Sequence, residues 1–200
     1  MEPFQTLTSR ATPLLIDNID TDVITPMQRV MQGRDALVTY AFETLRFDAS
    51  GAPRPDSPLD DPAYAGAKIL VVGANFGCGS SRETAVWAVA GLGYRCIIGA
   101  SFGDIFFSNC FKNGLLPVIL AEEAVAEVAA AAGRGEEIRV SLDHPCVSLA
   151  DGRRFAFAIA SIRREALQQG LDDLGLVLRR LDRIEAFEAR DRNARAWASL

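Results

Sequence analysis

Four consecutive apolar residues, Ile69 to Val72, run into the glycine-rich stretch Gly73 to Gly79 and then into a segment whose apolar positions take up helical spacing. A buried strand that turns through glycines straight into a helix commits the chain to strand–helix alternation. Gly73, Gly77 and Gly79 allow backbone that a Cβ would forbid. Ser80 and Ser81 stand where the helix should start, so their hydroxyls and the free N–H groups of its first turn can converge on one anion. Arg82 adds a forked cation. The loop therefore reads as a carboxylate or phosphate site, although Ser80 with Glu83 also fits the capping box S-x-x-E, which needs no function. Neither the P-loop Gly-Lys-Ser/Thr nor GxGxxG with a later acidic residue is matched, which argues against a nucleotide.

The rest of the chain extends the alternation. TPLLI at 12–16 predicts a strand, and the spacing of Ala36, Leu37, Tyr40 and Ala41 predicts a helix over about 35–46. The Pro-, Gly-, Asp- and Ser-rich segment at 48–62 predicts a long loop, an exposed excursion or flap rather than a linker, because the strand KILVV follows at 68–72. Ala85, Ala88, Val89 and Leu92 should face a sheet. Further elements are a strand at 96–100, a helix at 102–113 ending at Gly114, a strand at 115–120 and an alanine-rich helix at 121–132 stopped by Gly133. Strands near 137–142 and 153–159 and a mainly helical 161–198 complete an α/β fold of βαβ units with a parallel component.

Two hundred residues with 49% hydrophobic content can bury a substantial core as one domain spanning 1–200. No apolar run approaches a membrane span, and the N-terminal MEPFQTLTSR lacks a signal-peptide core, so a cytoplasmic location is expected. A net charge of −5 argues against a nucleic-acid surface. Cys78, Cys96, Cys110 and Cys146 are too widely spaced for CxxC chemistry, so no metal or iron–sulfur site is expected within the chain, and reduced, buried thiols are the default. Cys78, in the glycine loop, is the one placed to react. His144 is the only histidine, and pairing it with Cys78 is disfavoured because sequence alone does not bring them together.

The segments NFGCGSSRE at 75–83, NIDTD at 18–22, SFGDIF at 101–106, NCFKNGLLPV at 109–118 and GLDDLGLVL at 170–178 together resemble the small subunits of 3-isopropylmalate dehydratase in the aconitase superfamily. The matches follow the family order over nearly the whole chain. The resemblance implies a swivelling β/β/α domain, the counterpart of the last domain of aconitase, in a heterodimer with a large subunit that carries a [4Fe–4S] cluster. It implies a hydro-lyase subunit, inactive alone, that isomerises 3-isopropylmalate and 2-isopropylmalate in leucine biosynthesis. Small subunits of maleate, citraconate and dimethylmalate hydratases share these motifs, and a non-catalytic anion-binding or regulatory module is the alternative of a different class.

By motif position, the resemblance makes Ser80 the catalytic base, acting on the carbon next to a carboxylate, and assigns Ser81 and Arg82 to the substrate carboxylate. Thr21, Asp22 and Thr25 then support the cleft, as do Cys78 and Gly79; for an isolated sequence, 18–26 would be an Asx turn closed by Pro26. Asp104 and Asn109 are further candidates, with capping or core-polar roles equally open. Two departures bear on the substrate. RETAVWA places Thr84 and Val86 where the family carries His and Pro, and MQRVMQGRDALVTYAFETLRF at 27–47 replaces a loop that commonly contains Arg-Thr-Gly.

Overall fold

The computed structural model describes residues 1–79, 83–195 and 197. Strands β1 (Thr6–Ser9) and β2 (Ala11–Leu14) are separated by Arg10 alone yet enter different sheets. Strand β2 joins β3 (Ile69–Val72), β4 (Cys96–Gly99) and β5 (Leu116–Ile119) in an all-parallel sheet ordered β2-β3-β4-β5. Strand β1 joins β6 (Ile138–Ser141), β7 (Cys146–Ser148) and β8 (Arg154–Ala156) in an antiparallel sheet ordered β1-β6-β7-β8. At the crossing point the Arg10 guanidinium donates to Ala63 O at 2.9 Å and Ala65 O at 3.2 Å, tying the strand switch to the far end of the long loop.

The helices are α1 (Thr21–Ile24), α2 (Arg34–Thr39), α3 (Glu43–Arg46), α4 (Glu83–Gly91), α5 (Asp104–Lys112), α6 (Glu122–Gly133), α7 (Ser161–Gln169), α8 (Asp173–Leu178) and α9 (Leu181–Ala194). All four residues of β3 and of β4 are buried, as expected of a parallel sheet covered on both faces. Alternation along the strands then divides the core. Ile69, Val71 and Ile98 face α6 and the antiparallel sheet, where Val128, Ile138, Val140 and Val147 meet them. Leu70, Val72 and Ile97 face the opposite layer of α1, α4 and α5, with Ile24, Ala85, Val89 and Phe106. The parallel sheet is thus the middle layer, and the helix layer on one side carries the glycine loop.

Several expectations are corrected. The helix expected over 35–46 is broken: α2 ends at Thr39, Phe42 takes a left-handed conformation at φ 54°, and α3 restarts at Glu43. Tertiary packing overrides periodicity there, because the turn buries Phe42 completely and lets its N–H donate to Ile24 O at 3.0 Å. Gly133 does not stop α6; it is the last helical residue, and Gly135, at φ +75°, takes the left-handed position after it. The expected strand at 12–16 ends at Leu14, leaving Leu15 and Ile16 exposed. Neither β1 nor β7 was anticipated, and the later strands build a second sheet rather than extending the parallel one.

The 48–62 segment is a loop, as expected, but it is pinned. Asp48 accepts from the Ser50 hydroxyl at 2.6 Å and from the N–H groups of Ser50 and Ala52, and these bonds hold its carboxyl below the usual range. The loop also closes by a bridge between Phe47 and Pro53 and by a bidentate ion pair between Arg46 and Asp60.

Candidate active site at the carboxyl edge of the parallel sheet

The three motif loops follow β2, β3 and β4 and leave the sheet at its carboxyl edge, where ligands of parallel α/β sheets are usually bound. They go on pairing beyond the strands. Gly77 N–H donates to Ile19 O at 2.7 Å and Thr21 N–H to Cys78 O at 3.0 Å, making a parallel bridge between Asp20 and Cys78. On the other flank Phe76 N–H donates to Ser101 O at 3.2 Å and Gly103 N–H to Phe76 O at 2.9 Å, bridging Phe76 and Phe102. The glycine loop is therefore held between NIDTD and SFGDIF in the strand order of the sheet beneath it.

Side chains lock the same arrangement. Asp17 Oδ1 accepts from Ala74 N–H at 2.7 Å, Asn75 Nδ2 donates to Asn18 Oδ1 at 2.8 Å, and Asn75 N–H donates to Ser101 Oγ at 2.8 Å. Both asparagines are left-handed, φ 57° at Asn18 and 55° at Asn75, a conformation their short polar side chains tolerate. Gly77 lies flat on the Phe106 ring at φ +71°.

The sequence-derived site residues fall into two groups. Ser80, Ser81 and Arg82 lie outside the described residues, bounded by Gly79 before them and by Glu83, the first residue of α4. Thr21, Cys78 and Gly79 are brought together by the pairing of the two loops, and Asp22 and Thr25 lie on α1 and at its end. Gly79, at φ +87°, faces Asp20 and the Thr21 hydroxyl. Thr21 and Thr25 are buried, and Thr25 Oγ1 donates to Thr84 O at 3.4 Å, joining α1 to the first turn of α4. Asp22 is exposed and lines a cleft of about 440 Å³ with Asp20, Val23, Pro26, Met27 and Thr44.

Sequence reasoning missed Asp20. NIDTD forms a helix start rather than a bare Asx turn: Asp20 Oδ1 accepts from Val23 N–H at 2.7 Å and caps α1. The signal was an aspartate three positions before that N–H, obscured by the short length of the helix. Asp104 is exposed in the first turn of α5, and Asn109 lends its carbonyl to Asn113 Nδ2 at 2.9 Å. Glu83, the capping-box candidate, accepts from the same Asn113 Nδ2 at 2.9 Å, while Asn113 Oδ1 accepts from Trp87 Nε1. Cys78 Sγ lies 3.6 Å from Asn18 O, whereas His144 is exposed in the turn between β6 and β7.

A family model described as the Aconitase C-terminal domain matches residues 1–123. The 3-isopropylmalate dehydratase small subunit of Rhodospirillum centenum is 48% identical over 201 residues, covering 99% of both chains. The chain belongs to the 3-isopropylmalate dehydratase small-subunit family. Another member of that family, from Paramagnetospirillum magneticum, is 46% identical and covers 98% of this chain and 100% of its own. A crystal structure of 3-isopropylmalate dehydratase from Methanocaldococcus jannaschii superposes with a TM-score of 0.66 at 25% identity, covering 90% of this chain and 99% of that one. The two-sheet α/β architecture is thus that of the aconitase C-terminal domain.

Thr84 and Val86 of α4 have distinct settings. Val86 is fully buried in the helix-layer core. The Thr84 hydroxyl is buried with no hydrogen-bond partner among the described residues. The cysteines are dispersed: burial pushes the Cys96 and Cys110 thiols up, and Cys146 lies in the antiparallel sheet, where Arg154 Nη2 reaches its sulfur at 3.3 Å. Among the described residues, no group of three or more His, Cys, Asp or Glu is placed to hold a metal ion. No described helix is long and apolar enough to cross a membrane.

Proposed function

We propose that the chain is the small subunit of a hydro-lyase that interconverts 3-isopropylmalate and 2-isopropylmalate in leucine biosynthesis. It acts in the cytoplasm as one swivelling domain, residues 1–200, closing over a large subunit that carries a [4Fe–4S] cluster. The observation that carries this reading is full-length identity of 48% to a 3-isopropylmalate dehydratase small subunit. The pairing of the three motif loops at the sheet edge supports it, because it fixes Cys78, two positions before Ser80, while Thr25 holds Thr84 in the first turn of α4.

Bound in the partner, a [4Fe–4S] cluster would supply Lewis acidity for loss of the substrate hydroxyl. This chain supplies the proton chemistry. Ser80, as alkoxide, takes the proton from the carbon next to a carboxylate; in the isomerisation the hydroxyl of water adds to that same carbon, and Ser80 delivers a proton to the neighbouring carbon that lost its hydroxyl. An alkoxide persists only where donors and positive charge surround it, which the start of α4 and Arg82 provide. Ser81 and Arg82 hold the substrate carboxylate, while Thr21, Asp22, Thr25, Cys78 and Gly79 shape the wall around it.

Anaerobic reconstitution with the cluster-bearing large subunit tests the reading. Of 3-isopropylmalate, citraconate, maleate and dimethylmalate, the first should give the highest kcat/KM, with cross-activity among the others, since one methylene in an apolar pocket discriminates by only about 1–3 kcal/mol. An intact complex that turns over none of the four defeats it.

A further inference from the structure

We propose that Arg46 is a positioning residue that sets the glycine loop through Phe42. Its guanidinium joins two segments at once. Nε and Nη2 donate to the Asp60 carboxylate at 2.9 and 2.7 Å, while Nη1 donates to Thr39 O and Ala41 O, both at 3.2 Å. The Arg46 side chain is 14% exposed and its bond to Ala41 O is partly buried, while the Asp60 carboxylate stays open to solvent. The two carbonyls belong to the turn that breaks the helix after α2. A planar fork can hold them and a carboxylate together, whereas an ammonium has no such geometry.

That turn delivers Phe42. With φ 54° the residue is in a left-handed conformation that a bulky side chain rarely adopts, so its surroundings must impose it. Arg46 grips the carbonyl immediately before it, and Phe42 N–H donates to Ile24 O at the end of α1. The Phe42 ring meets Phe76 at 6.3 Å between centroids, and Phe76 is the residue whose N–H and C=O pair the glycine loop to the 101–103 loop. Phe76 also stands edge-on to Phe106 at 5.4 Å, the ring on which Gly77 rests. Arg46 thus lies two packed residues from the loop that leads to Ser80, without reaching any residue assigned to substrate.

The inference rests on the proposed reaction for its kinetic readout and on the fold alone for a second one. Arg46→Ala, Arg46→Lys and Phe42→Leu would be measured in the full-length chain reconstituted with the large subunit, at a temperature where circular dichroism reports each variant folded. Arg54→Ala serves as control, because the Arg54 side chain pairs with Asp56 in the same loop, and its backbone N–H bond to Arg46 O is kept by alanine. Both Arg46 variants should lower kcat about tenfold with KM changed less than threefold, since misplacing a reacting group penalises chemistry more than binding. The control should match the unaltered chain. Arg46→Ala combined with Phe42→Leu should be no worse than the more damaging single change.

Hydrogen exchange in the isolated chain supplies the second readout: Arg46→Ala should speed exchange at the Gly77 and Gly103 amides. Faster exchange with an unaltered complex that is inactive would uphold the positioning role and reject the proposed reaction. Unchanged exchange, or normal kcat and KM in a folded Arg46→Ala complex, would overturn the inference even if its melting temperature falls.

Discussion

Gly77 and Phe106 exclude any side chain between them: a Cβ built on Gly77 would overlap Phe106 at its Cβ, Cγ and Cδ1, and its φ of +71° is a conformation most L-residues avoid. Gly77→Ala should therefore destabilise the fold by about 3 kcal/mol, overpacking and backbone strain acting together. Chemical denaturation measures it. A loss below about 1 kcal/mol would mean that the Phe106 ring moves aside at little cost.

Ser80 separates the catalytic reading from the capping one. As a base, its replacement in Ser80→Ala should lower kcat at least about a hundredfold in the reconstituted complex. As a helix cap alone, it would cost about 1 kcal/mol of stability and leave turnover nearly intact. Arg82→Lys should weaken substrate affinity, because a point charge loses the bidentate grip on a carboxylate.

Asp20→Ala removes the acceptor for Val23 N–H and leaves α1 uncapped, at a cost of about 1 kcal/mol. Because α1 carries Thr21 and Asp22, the change should also reduce turnover, whereas Asp104→Ala, at an exposed position in the first turn of α5, should not. Parallel melting and kinetic measurements on the two variants decide the matter.

Thr84→Val should stabilise the chain by about 1 kcal/mol, since it removes a buried hydroxyl that has no partner among the described residues and keeps the shape. A destabilised variant would mean that the hydroxyl is paired in solution.

Stability should fall on the alkaline side. Burial raises the Tyr94 phenol, against an opposing hydrogen bond with Thr12, and burial raises the Cys96 and Cys110 thiols. Each keeps its proton in the fold at a pH where the unfolded chain has already released it. The unfolded state thus binds fewer protons above about pH 8.5 for the thiols and about pH 10 for the phenol, and stability declines as pH rises through the higher folded values. Urea midpoints that stay constant from about pH 8 to 10.5 would contradict this.

Much of the fold was legible because local pattern and tertiary role coincide. The runs at 68–72, 96–100 and 115–120 are apolar apart from Lys68 and became parallel strands, with β3 and β4 buried on both faces. The break at Phe42 was not legible, since Ala36, Leu37, Tyr40 and Ala41 keep helical spacing while Phe42 is drawn out of it by Phe76 and Ile24. Strand β7 was hidden because a three-residue strand has too little alternation to register.

The sequence by itself determined the chemistry available: the serine–arginine loop, the NIDTD carboxylates and the strand–helix alternation are set by residue type and spacing over a few positions. Only the tertiary structure decided that Asp20 caps a helix while Asp22 faces the cleft, and that β1 and β2 part at Arg10 into separate sheets. It also decided that three loops far apart in the chain pair side by side above β2, β3 and β4. Those outcomes depend on hydrogen bonds between residues such as Ile19 and Gly77, or Phe76 and Ser101. Partners of that kind meet only when the sheet beneath them has formed, so no local pattern records them.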